Sequence, residues 1–412
     1  MAVGAEEEFH VVGLATRRLA AQAGSILEQL PAGRFTSELQ RSVVETNSRP
    51  HVRLADLAAD IAALRRAAIA AARPLGLGLG LGLVAAGTVP TTDPDTVTIT
   101  PDPQYAHMQG EYRMLVREQL ICGTQVHVDV NGRDLAVAVA HRVAPWLPVL
   151  LALSASSPFW LGTDTGYASY RTLIWRRWPT TGAPAGFASA ADYDRTVADL
   201  VRSEVITDPG MIYFDVRPSA HLPTVELRIC DACARLEDVV LLAGLFPRAG
   251  HPGDRRRAGG PGGAERPPEL LEAATWRAAQ SGLDGNLVDP ATAIPVPAHQ
   301  LIGQLLADLR PMLESTGDWE LAAELTKSAL AGGSSAARQR TASARGGLAK
   351  VVDTLLAEAR ANTNWLPGAE SARTTVARCR RATQPRRRSG PVRRQRLRAV
   401  RNDPARAGQD RC

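Results

Sequence analysis

Acidic side chains alternate along the first predicted strand of this sequence, Ala5–Val11. Glu6, Glu8 and His10 share one face of the strand, because successive residues of a strand point to opposite sides. Carboxylates two residues apart repel each other unless a positive charge lies between them. The stripe therefore predicts either part of a divalent-cation site or a solvated strand edge, and both alternatives remain open.

A second polar stripe runs along the predicted strand Thr124–Val130. Gln125, His127 and Asp129 occupy one face, and the residues between them are all valine. The valine face predicts burial, so the polar face points to water, a ligand or a polar cavity. A histidine flanked in register by an amide and a carboxylate favours a functional site.

A third stripe lies on the predicted strand Thr224–Cys230, where Glu226 and Arg228 share a face. The preceding predicted strand, Met211–Val216, pairs with it around a turn at Pro218–Pro223 and contributes Asp215 and Arg217 at the same two-residue spacing. A glutamate beside an arginine is either a structural ion pair of small energetic value or a metal ligand beside a phosphate-binding guanidinium.

A pair of glutamates, Glu38 and Glu45, completes the set of acidic candidates. Their spacing of seven places them on one face of a helix, two turns apart, whereas an extended strand would need a bulge to align them. Both alternatives are open.

Several acidic stripes with a single histidine are typical of a site for a hard divalent cation such as Mg²⁺, which prefers oxygen ligands and substrate phosphates. The chain has no G-x-x-x-x-G-K-[ST] motif, which excludes P-loop phosphate chemistry. Its single CxxC, Cys230 to Cys233, has no second pair and does not predict a zinc site. A glycosidase carboxylate pair stays an alternative, although the arginines suit phosphate better than sugar.

The elements that would position these residues predict an α+β body over 1–246, followed by three further segments. These are an Arg/Gly/Pro-rich insertion or linker at 247–268, a helical completion of the same domain at 269–360 and a basic disordered tail at 361–412. One further strand is predicted at Leu75–Val84. Helices are predicted at Ala55–Ala72, Gln104–Leu120, Asp134–Leu153, Arg235–Phe246, Glu269–Ser281, His299–Glu314, Trp319–Ala331 and Ala336–Ala359.

Charge and hydropathy limit the partners and the cellular compartment that the sequence predicts. The formal charge is +6, but the predicted tail carries 14 arginines against three acids, a charge of +11, so the first 360 residues carry −5. A nucleic-acid-binding role of that tail is an alternative that we do not favour, since no folded nucleic-acid motif accompanies it. The uncharged stretch Val143–Gly162 contains three prolines and predicts a buried helix and loop, not a membrane span. A cytoplasmic protein is expected, because the N-terminus is acidic and does not look like a signal peptide.

Six segments appear in an order that carries a family resemblance. They are GAEEEFHVV (Gly4–Val12), ELQRSVVET (Glu38–Thr46), CGTQVHVDV (Cys122–Val130), LPVLLALSASSPFWLGTDTGYASYR (Leu147–Arg171), PTTGAP (Pro179–Pro184) and FDVRPSAHLPTVELRICD (Phe214–Asp231). Together they resemble the type-2 glutamate–cysteine ligase family of ATP-dependent carboxylate–amine ligases.

The resemblance implies an α+β fold like the glutamine synthetase catalytic domain, with an antiparallel sheet forming a funnel and helices on its outer face. It implies ATP and Mg²⁺ as cofactors, glutamate and cysteine or another amine as small-molecule substrates, and an acyl-phosphate intermediate. It leaves the oligomeric state open, with a homodimer as one option. The candidate residues are then Glu6, Glu8, Glu38, Glu45, His127 and Glu226 for metal, Arg171 and Arg228 for catalysis, and Arg171, Arg228 and Arg217 for the nucleotide.

The chain departs from the family pattern at Gly87-Thr88-Val89-Pro90, where the family usually has Gly-Thr-His-Pro. The missing histidine and the segment 247–268 suggest an alternative function: a catalytically impaired binding protein on the same scaffold. The segments 247–268 and 361–412 are either native insertions or frame-shifted sequence.

Overall fold

The fold is described from a computed structural model, and every described residue belongs to one compact unit, Met1–Pro367. Residues 250–266, most of the predicted insertion, and nearly all of the predicted tail lie outside the described residues. The described residues are 1–76, 79–96, 98–184, 186–249, 267–361, 363 and 365.

Antiparallel strands form the framework of the unit. Seven of the strands build one sheet, and the other four form two short two-stranded ribbons. The strands are β1 (Val3–Gly13), β2 (Phe35–Ser37), β3 (Val43–Asn47), β4 (Leu81–Val84), β5 (Thr124–Asp129), β6 (Phe159–Trp160), β7 (Thr163–Asp164), β8 (Val216–Pro218), β9 (Thr224–Leu227), β10 (Asn286–Val288) and β11 (Pro295–Pro297).

The strand order in the large sheet is β2-β3-β1-β5-β9-β8, with β4 also paired to β1. The long strand β1 is central, because His10 pairs with Val43 of β3 on one side and with Val84 of β4 on the other. In register, Glu6 lies opposite Gln125 of β5. The polar residues of neighbouring strands therefore share one face of the sheet.

Helices complete the fold, and several of them cover the other face of the sheet. They are α1 (Ala23–Leu27), α2 (Leu54–Ala72), α3 (Pro103–Tyr112), α4 (Met114–Arg117), α5 (Arg133–Val143), α6 (Leu147–Ser154), α7 (Tyr170–Trp175), α8 (Ala190–Arg202), α9 (Leu236–Ala249), α10 (Pro268–Ser281), α11 (Ala298–Ser315), α12 (Trp319–Gly332) and α13 (Ser335–Arg360).

The main core forms between the sheet and these helices. Val126 and Val128 of β5 and Leu227 of β9 are completely or almost completely buried against α2, α6 and α9. Each such side chain contributes about 1.5–3 kcal/mol through removal of apolar surface from water. Packing on this face alone leaves the opposite, polar face of the sheet free to form a site.

The expected fold class, α+β with an antiparallel sheet and helices on its outer face, is confirmed. The helix predicted at Ala55–Ala72 is α2, whose leucine, isoleucine and alanine positions form the buried side. The helix predicted at Asp134–Leu153 is interrupted by a 3₁₀ turn at Ala144–Trp146, near the two prolines expected to break it.

Other predicted boundaries were wrong. The strand predicted at Met211–Val216 begins only at Val216, since a 3₁₀ turn occupies Pro209–Met211. The strand predicted from Leu75 begins at Leu81, because Gly80 has φ +81° and ends a turn there. The predicted helix Gln104–Leu120 is two helices, α3 and α4, separated at Arg113, which has φ +50°.

The region considered as a membrane span, Val143–Gly162, overlaps a helical run, Arg133–Ser154. By length and composition alone this run could cross a bilayer, but 67% of its most apolar stretch is buried inside the fold. The core helix of a soluble protein meets the same criterion. The absence of a membrane span therefore stays a prediction.

Candidate active site

The first group of candidate ligands joins three strands on the polar face of the sheet. Glu6, His127 and Glu226 each place one ligand atom within 4.8 Å of the others. They meet because His127 of β5 is the register partner of Glu226 of β9, while Glu6 extends from the neighbouring β1. His127 Nε2 lies 3.1 Å from Glu6 Oε1, and its Nδ1 lies 3.1 Å from Thr224 Oγ1.

Glu226 is buried and held by two arginines. Arg217 Nε donates to Glu226 Oε2 at 2.9 Å, and Arg228 donates to the other carboxylate oxygen. Burial alone would raise the pKa of Glu226, but the charges of Arg228, Arg217 and His127 outweigh it and lower that pKa to about 2. Glu226 is therefore an anion at neutral pH.

The pKa of His127 is raised above its ordinary value. Burial opposes the charged form, but the hydrogen bond to Glu6 and the charges of Glu6 and Glu226 outweigh this effect. The first group thus combines two carboxylates with an imidazole that readily carries a proton while no cation is bound.

The second group contains three glutamates, Glu8, Glu38 and Glu45, whose carboxylate oxygens also lie within 4.8 Å of one another. Glu8 and Glu45 are register partners across β1 and β3. Glu38 follows β2 directly, so the spacing of seven is explained by a strand, a bend and a second strand. Neither of the two arrangements considered from the sequence, a helix face or a bulged strand, is the one observed.

The carboxyl groups of this second group have raised pKa values. Burial and the negative charges of Glu6 and Glu8 raise the pKa of Glu45 to about 7, against hydrogen bonds from Thr36 and Asn47 that lower it. Burial, the charges of Glu45 and Glu8 and a hydrogen bond with Glu45 raise the pKa of Glu38 well above its usual range. Both shifts indicate carboxylates crowded together without a compensating cation.

Backbone and amide donors orient Glu8. The N–H of Gly123 donates to Glu8 Oε2 at 2.6 Å, and Gln125 Nε2 donates to Oε1 at 2.8 Å. Glu8 is thereby fixed from the β5 side while its carboxylate faces Glu38 and Glu45. This arrangement resembles the support that protein metal ligands usually receive from their neighbours.

Arg171 is 3% exposed and enters the site from the first turn of α7. Its NH1 donates to the carbonyl of Ile229 at 3.2 Å, and its guanidinium lies 5.6 Å from the centre of the Trp175 ring. Its backbone N–H donates to Ser157 Oγ at 3.0 Å. Ser157 Oγ in turn donates to the buried carboxylate of Asp231 at 2.7 Å, so Asp231 supports the position of α7.

A cavity of about 230 Å³ lies beside the second group. Glu8 and Glu38 line one part of it, and Arg171 and Arg228 line another. The cavity wall also includes the aromatic residues Tyr105, Trp175, Trp178 and Tyr213. A space that joins carboxylates, guanidinium groups and aromatic rings fits a small polar ligand.

Two arginines that line this cavity have a buried donor without a hydrogen-bond partner among the described residues. Within the described part of the chain, Arg171 Nε and Arg228 Nε are buried and make no hydrogen bond. A buried donor left unpaired costs about 1–3 kcal/mol. Two such guanidinium donors beside two oxygen-rich groups fit an anionic ligand accompanied by divalent cations.

Three residues of the predicted stripes lie outside the site. His10 is fully buried between β3 and β4, and burial lowers its pKa to about 4. Asp129 is exposed at the end of β5. Asp215 precedes β8 and pairs with Arg176, its Oδ2 lying 2.7 Å from Arg176 NH2. Two-residue spacing fails for these residues for three local reasons. His10 lies where β1 pairs with β4 and no longer with β5, Asp129 lies at the last residue of β5, and Asp215 lies before β8 begins.

Sequence reasoning missed the aromatic wall of the cavity. Trp175 and Tyr213 lie with their ring centres 4.9 Å apart, and the guanidinium of Arg228 lies 5.9 Å from both ring centres. Only the position of Trp175, one helical turn after Arg171 on α7, gave any signal for it in the sequence.

Comparison with known proteins identifies the family of this chain. A sequence profile described as Glutamate-cysteine ligase family 2 matches residues 2–354 of this chain. The chain belongs to glutamate–cysteine ligase family 2. The match contains every residue of both carboxylate groups, together with Arg171, Arg217 and Arg228.

Curated members of glutamate–cysteine ligase family 2 are similar over most of this chain. A protein of Frankia alni, provisionally named glutamate–cysteine ligase 2-3, is 55% identical over 365 residues, which are 87% of this chain and 42% of the relative. A protein of Mycolicibacterium smegmatis, provisionally named glutamate–cysteine ligase 2-2, is 51% identical over 359 residues, which are 86% of this chain and 89% of the relative. The chain thus spans less than half of the length of the Frankia protein.

Solved structures share the fold at low sequence identity. A glutamate–cysteine ligase from Francisella tularensis, solved in complex with AMP, matches with a TM-score of 0.63 and 10% identity over 93% of this chain and 95% of that chain. A bifunctional glutathione synthetase from Pasteurella multocida matches with a TM-score of 0.61 and 14% identity over 88% of this chain and 52% of that chain. These matches agree with the α+β fold observed here for a member of glutamate–cysteine ligase family 2.

Val89, at which the sequence departs from the motif expected from the resemblance, is completely buried. It packs in an apolar cluster with Val12, Val84 and Phe159. Its neighbour Thr88 donates from Oγ1 to the carbonyl of Phe159 at 2.7 Å. The position at which the chain departs from the family pattern is therefore part of a secondary core, and Val89 does not line the described cavity.

Proposed function

We propose that this chain is an ATP- and Mg²⁺-dependent ligase that joins the side-chain carboxylate of glutamate to an amine, with cysteine as the acceptor. The observation that carries the proposal is the lining of one cavity. Glu8 and Glu38 of the second carboxylate group line it together with Arg171 and Arg228, whose Nε donors have no partner among the described residues, and Arg228 also donates to Glu226 of the first group. Family membership and the provisional names of the relatives support it.

The carboxylate groups fit divalent cations by the chemistry of their donors. Glu8, Glu38 and Glu45 would hold one cation through oxygen atoms alone, which suits Mg²⁺. Glu6, His127 and Glu226 would hold a second one. Bound Mg²⁺ and ATP would supply the phosphoryl group and neutralise the negative charge that develops on it.

Within this proposal, the arginines bind and orient the phosphate or carboxylate groups of the substrates. Arg171 and Arg228 present unpaired Nε donors to an anionic group, and a guanidinium matches phosphate or carboxylate oxygens in a planar, two-point manner. Arg217 acts through Glu226, which it fixes from the other side. Because a carboxylate is a poor electrophile, the glutamate side chain is first phosphorylated, and the amine then displaces phosphate from the acyl phosphate.

Burial strengthens these interactions. Arg171 and Glu226 are each 3% exposed, so their charges act in surroundings of low polarity, where electrostatic stabilisation of a transition state is larger than in water. The aromatic residues Trp175 and Tyr213 exclude water from the same region and hold the guanidinium of Arg228 against their rings.

The test is phosphate release from ATP and Mg²⁺ across a panel of amino-acid pairs, with the ligated product identified by mass spectrometry. We expect turnover only when glutamate and an amine acceptor are both present. A matched control is Glu28→Gln, since Glu28 is exposed and belongs to neither carboxylate group. Release that ignores the amino acids, or binding without any release, would favour the alternative of a catalytically impaired binding protein.

A further inference from the structure

One carboxylate on β1 points away from the candidate site. Glu7 lies between Glu6 and Glu8 in sequence, yet its side chain enters the opposite face of the sheet and is only 2% exposed. There it meets Arg65 of α2, which is completely buried. Neither residue belongs to the two carboxylate groups or lines the described cavity.

The contact between Glu7 and Arg65 is two-pronged. Arg65 NH2 donates to Glu7 Oε1 at 2.5 Å, and Arg65 Nε lies 3.1 Å from Oε1 and 3.2 Å from Oε2. The guanidinium also lies 5.4 Å from the centre of the Phe9 ring. Burial opposes the charge of Arg65, but the charge of Glu7 and its hydrogen bond outweigh burial and raise the pKa of Arg65.

The remaining donors of Arg65 reach a second segment. Arg65 NH2 donates to the carbonyl of Cys233 at 2.8 Å, and NH1 donates to the carbonyl of Ala234 at 3.0 Å. A single guanidinium thus connects helix α2, strand β1 and the loop after β9. A buried ion pair is weak evidence of stabilisation on its own, since apolar residues of similar size often serve as well.

The second segment leads back to the candidate ligands. The N–H of Ala232 donates to the carbonyl of Cys122 at 3.1 Å, and the N–H of Cys233 donates to Thr124 Oγ1 at 3.2 Å. Gly123 lies between Cys122 and Thr124, and its N–H donates to Glu8 Oε2 at 2.6 Å. Arg65 therefore supports Glu8 in two ways. It holds β1 through Glu7, and it holds the loop after β9, which contacts the residues on either side of Gly123.

Crowding on the site face acts on the position of β1. Glu8 of β1 lies opposite Glu45 of β3, and the carboxylate oxygens of Glu8, Glu38 and Glu45 lie within 4.8 Å of one another, so like charges there favour separation of β1 from β3. A strand displaced by a fraction of an ångström would change the distances within both groups at once, because both include a residue of β1. Anchorage from the other face opposes that displacement.

We propose that Glu7 and Arg65 form a buried positioning pair that sets the divalent-cation affinity of the site by fixing β1 between the two carboxylate groups. The inference rests on the proposed cation site, but it concerns residues that touch no ligand. Such outer support typically contributes about 10- to 100-fold to the affinity of a metal site.

The experiment uses the full chain and Mn²⁺ as a spectroscopic probe, with free Mn²⁺ measured by electron paramagnetic resonance and the melting temperature measured in parallel without metal. The key variant is Glu7→Leu combined with Arg65→Met, which replaces the pair by apolar residues and so avoids an unpaired buried charge. We expect a melting temperature close to that of the wild type and a dissociation constant for Mn²⁺ that is about tenfold higher.

A control separates positioning from general stability. Arg338 and Glu358 form another largely buried pair, with Arg338 Nε 2.6 Å from Glu358 Oε1, and neither belongs to the carboxylate groups. The combination of Arg338→Met with Glu358→Leu should leave Mn²⁺ affinity unchanged. Arg65→Lys, which keeps the charge but loses the two-pronged contact, covers the case in which the apolar double variant fails to fold, and it should also weaken Mn²⁺ binding.

The outcomes distinguish failure of the positioning role from failure of the proposed cation site. Wild-type Mn²⁺ affinity in the folded double variant, or in Arg65→Lys if the double variant does not fold, overturns the positioning role and leaves the cation site intact. Failure of the wild-type protein to bind Mn²⁺ in competition with Mg²⁺ overturns both the cation site and the inference.

Discussion

Glu8 of β1 and Glu45 of β3 are direct partners in the antiparallel register, so two carboxylates face each other on the polar side of the sheet. Like charges opposite each other destabilise a sheet. The pair is retained in a position where Glu38 adds a third carboxylate. The repulsion among these carboxylates lowers the stability of the protein without a cation, and a cation bound between them would offset it.

Glu8→Gln tests this relationship directly. Glutamine keeps the shape and one acceptor oxygen but removes an anionic ligand, so turnover should fall by about 100-fold or more. The melting temperature without metal should stay the same or rise, because one repelling charge is gone. Steady-state kinetics at saturating Mg²⁺ and thermal melting in a chelator measure the two effects. Unchanged turnover would show that Glu8 is not a metal ligand.

The dependence of stability on pH should differ with and without Mg²⁺. The pKa of Glu45 is raised to about 7 by burial and by Glu6 and Glu8, whereas an unfolded glutamate titrates near 4.5. A folded pKa above the unfolded one favours the fold at low pH, and this contribution is lost as the pH rises through about 7.

In a chelator, the melting temperature should therefore decline from about pH 5 to pH 8. Saturating Mg²⁺ should remove most of this decline, because a bound cation stabilises the ionised carboxylates. Glu45→Gln should flatten the curve in the chelator without any metal. Parallel curves with and without Mg²⁺ would contradict a cation site at Glu45.

The part of the site that sequence periodicity could predict is the part built on paired strands. Glu6, Glu8, His127 and Glu226 project from the same side of three adjacent strands, and two-residue alternation is sufficient to find them. Glu38 was named as a candidate, but its arrangement was not predicted, because its position depends on a bend between β2 and β3 that the seven-residue spacing does not specify.

Long-range pairs were beyond any sequence pattern. Arg65 is 58 positions away from Glu7, and in the sequence it is one of two adjacent arginines on a helix that also carries Asp56 and Asp60. Which of the two is buried depends on how α2 is rotated against the sheet. The same limit applies to Asp215, which binds Arg176 of a distant segment and not its neighbour in the predicted stripe.

Arg228→Lys examines the proposed phosphate contact. Lysine retains the charge but loses the planar fork, so we expect a loss of about 1–3 kcal/mol of transition-state stabilisation. The fold should persist, because Arg217 still holds Glu226. The measurement is kcat and KM for ATP and glutamate, with Mn²⁺ binding as a control. Wild-type turnover at saturating substrates would restrict Arg228 to a structural ion pair with Glu226.

Two truncations define the end of the folded unit. The predicted tail begins at residue 361, but Trp365 packs against the main core, and Arg66 donates to the carbonyl of Thr363. Deletion of 368–412 should leave the melting temperature and turnover unchanged. Deletion of 361–412 should lower stability by about 1–2 kcal/mol, which is roughly 1–3 °C for a domain of this size. Equal melting temperatures for the two truncated proteins would show that Trp365 contributes nothing.

Val89→His decides whether the departure from the family pattern impairs the enzyme. Val89 is completely buried with Val12, Val84 and Phe159, so an imidazole there would lose its hydration within an apolar cluster. We expect a loss of about 1–3 kcal/mol in the free energy of unfolding and no gain in turnover. Val89→Ala serves as the control for lost packing, because it creates a small cavity without adding a polar group. Thermal melting and ligase turnover of both variants are compared with the wild type.

A histidine variant that turns over faster at unchanged stability would mean that the imidazole reaches the substrates and that valine at this position weakens the enzyme. The hypothesis of an impaired binding protein would then gain support from the residue that first suggested it.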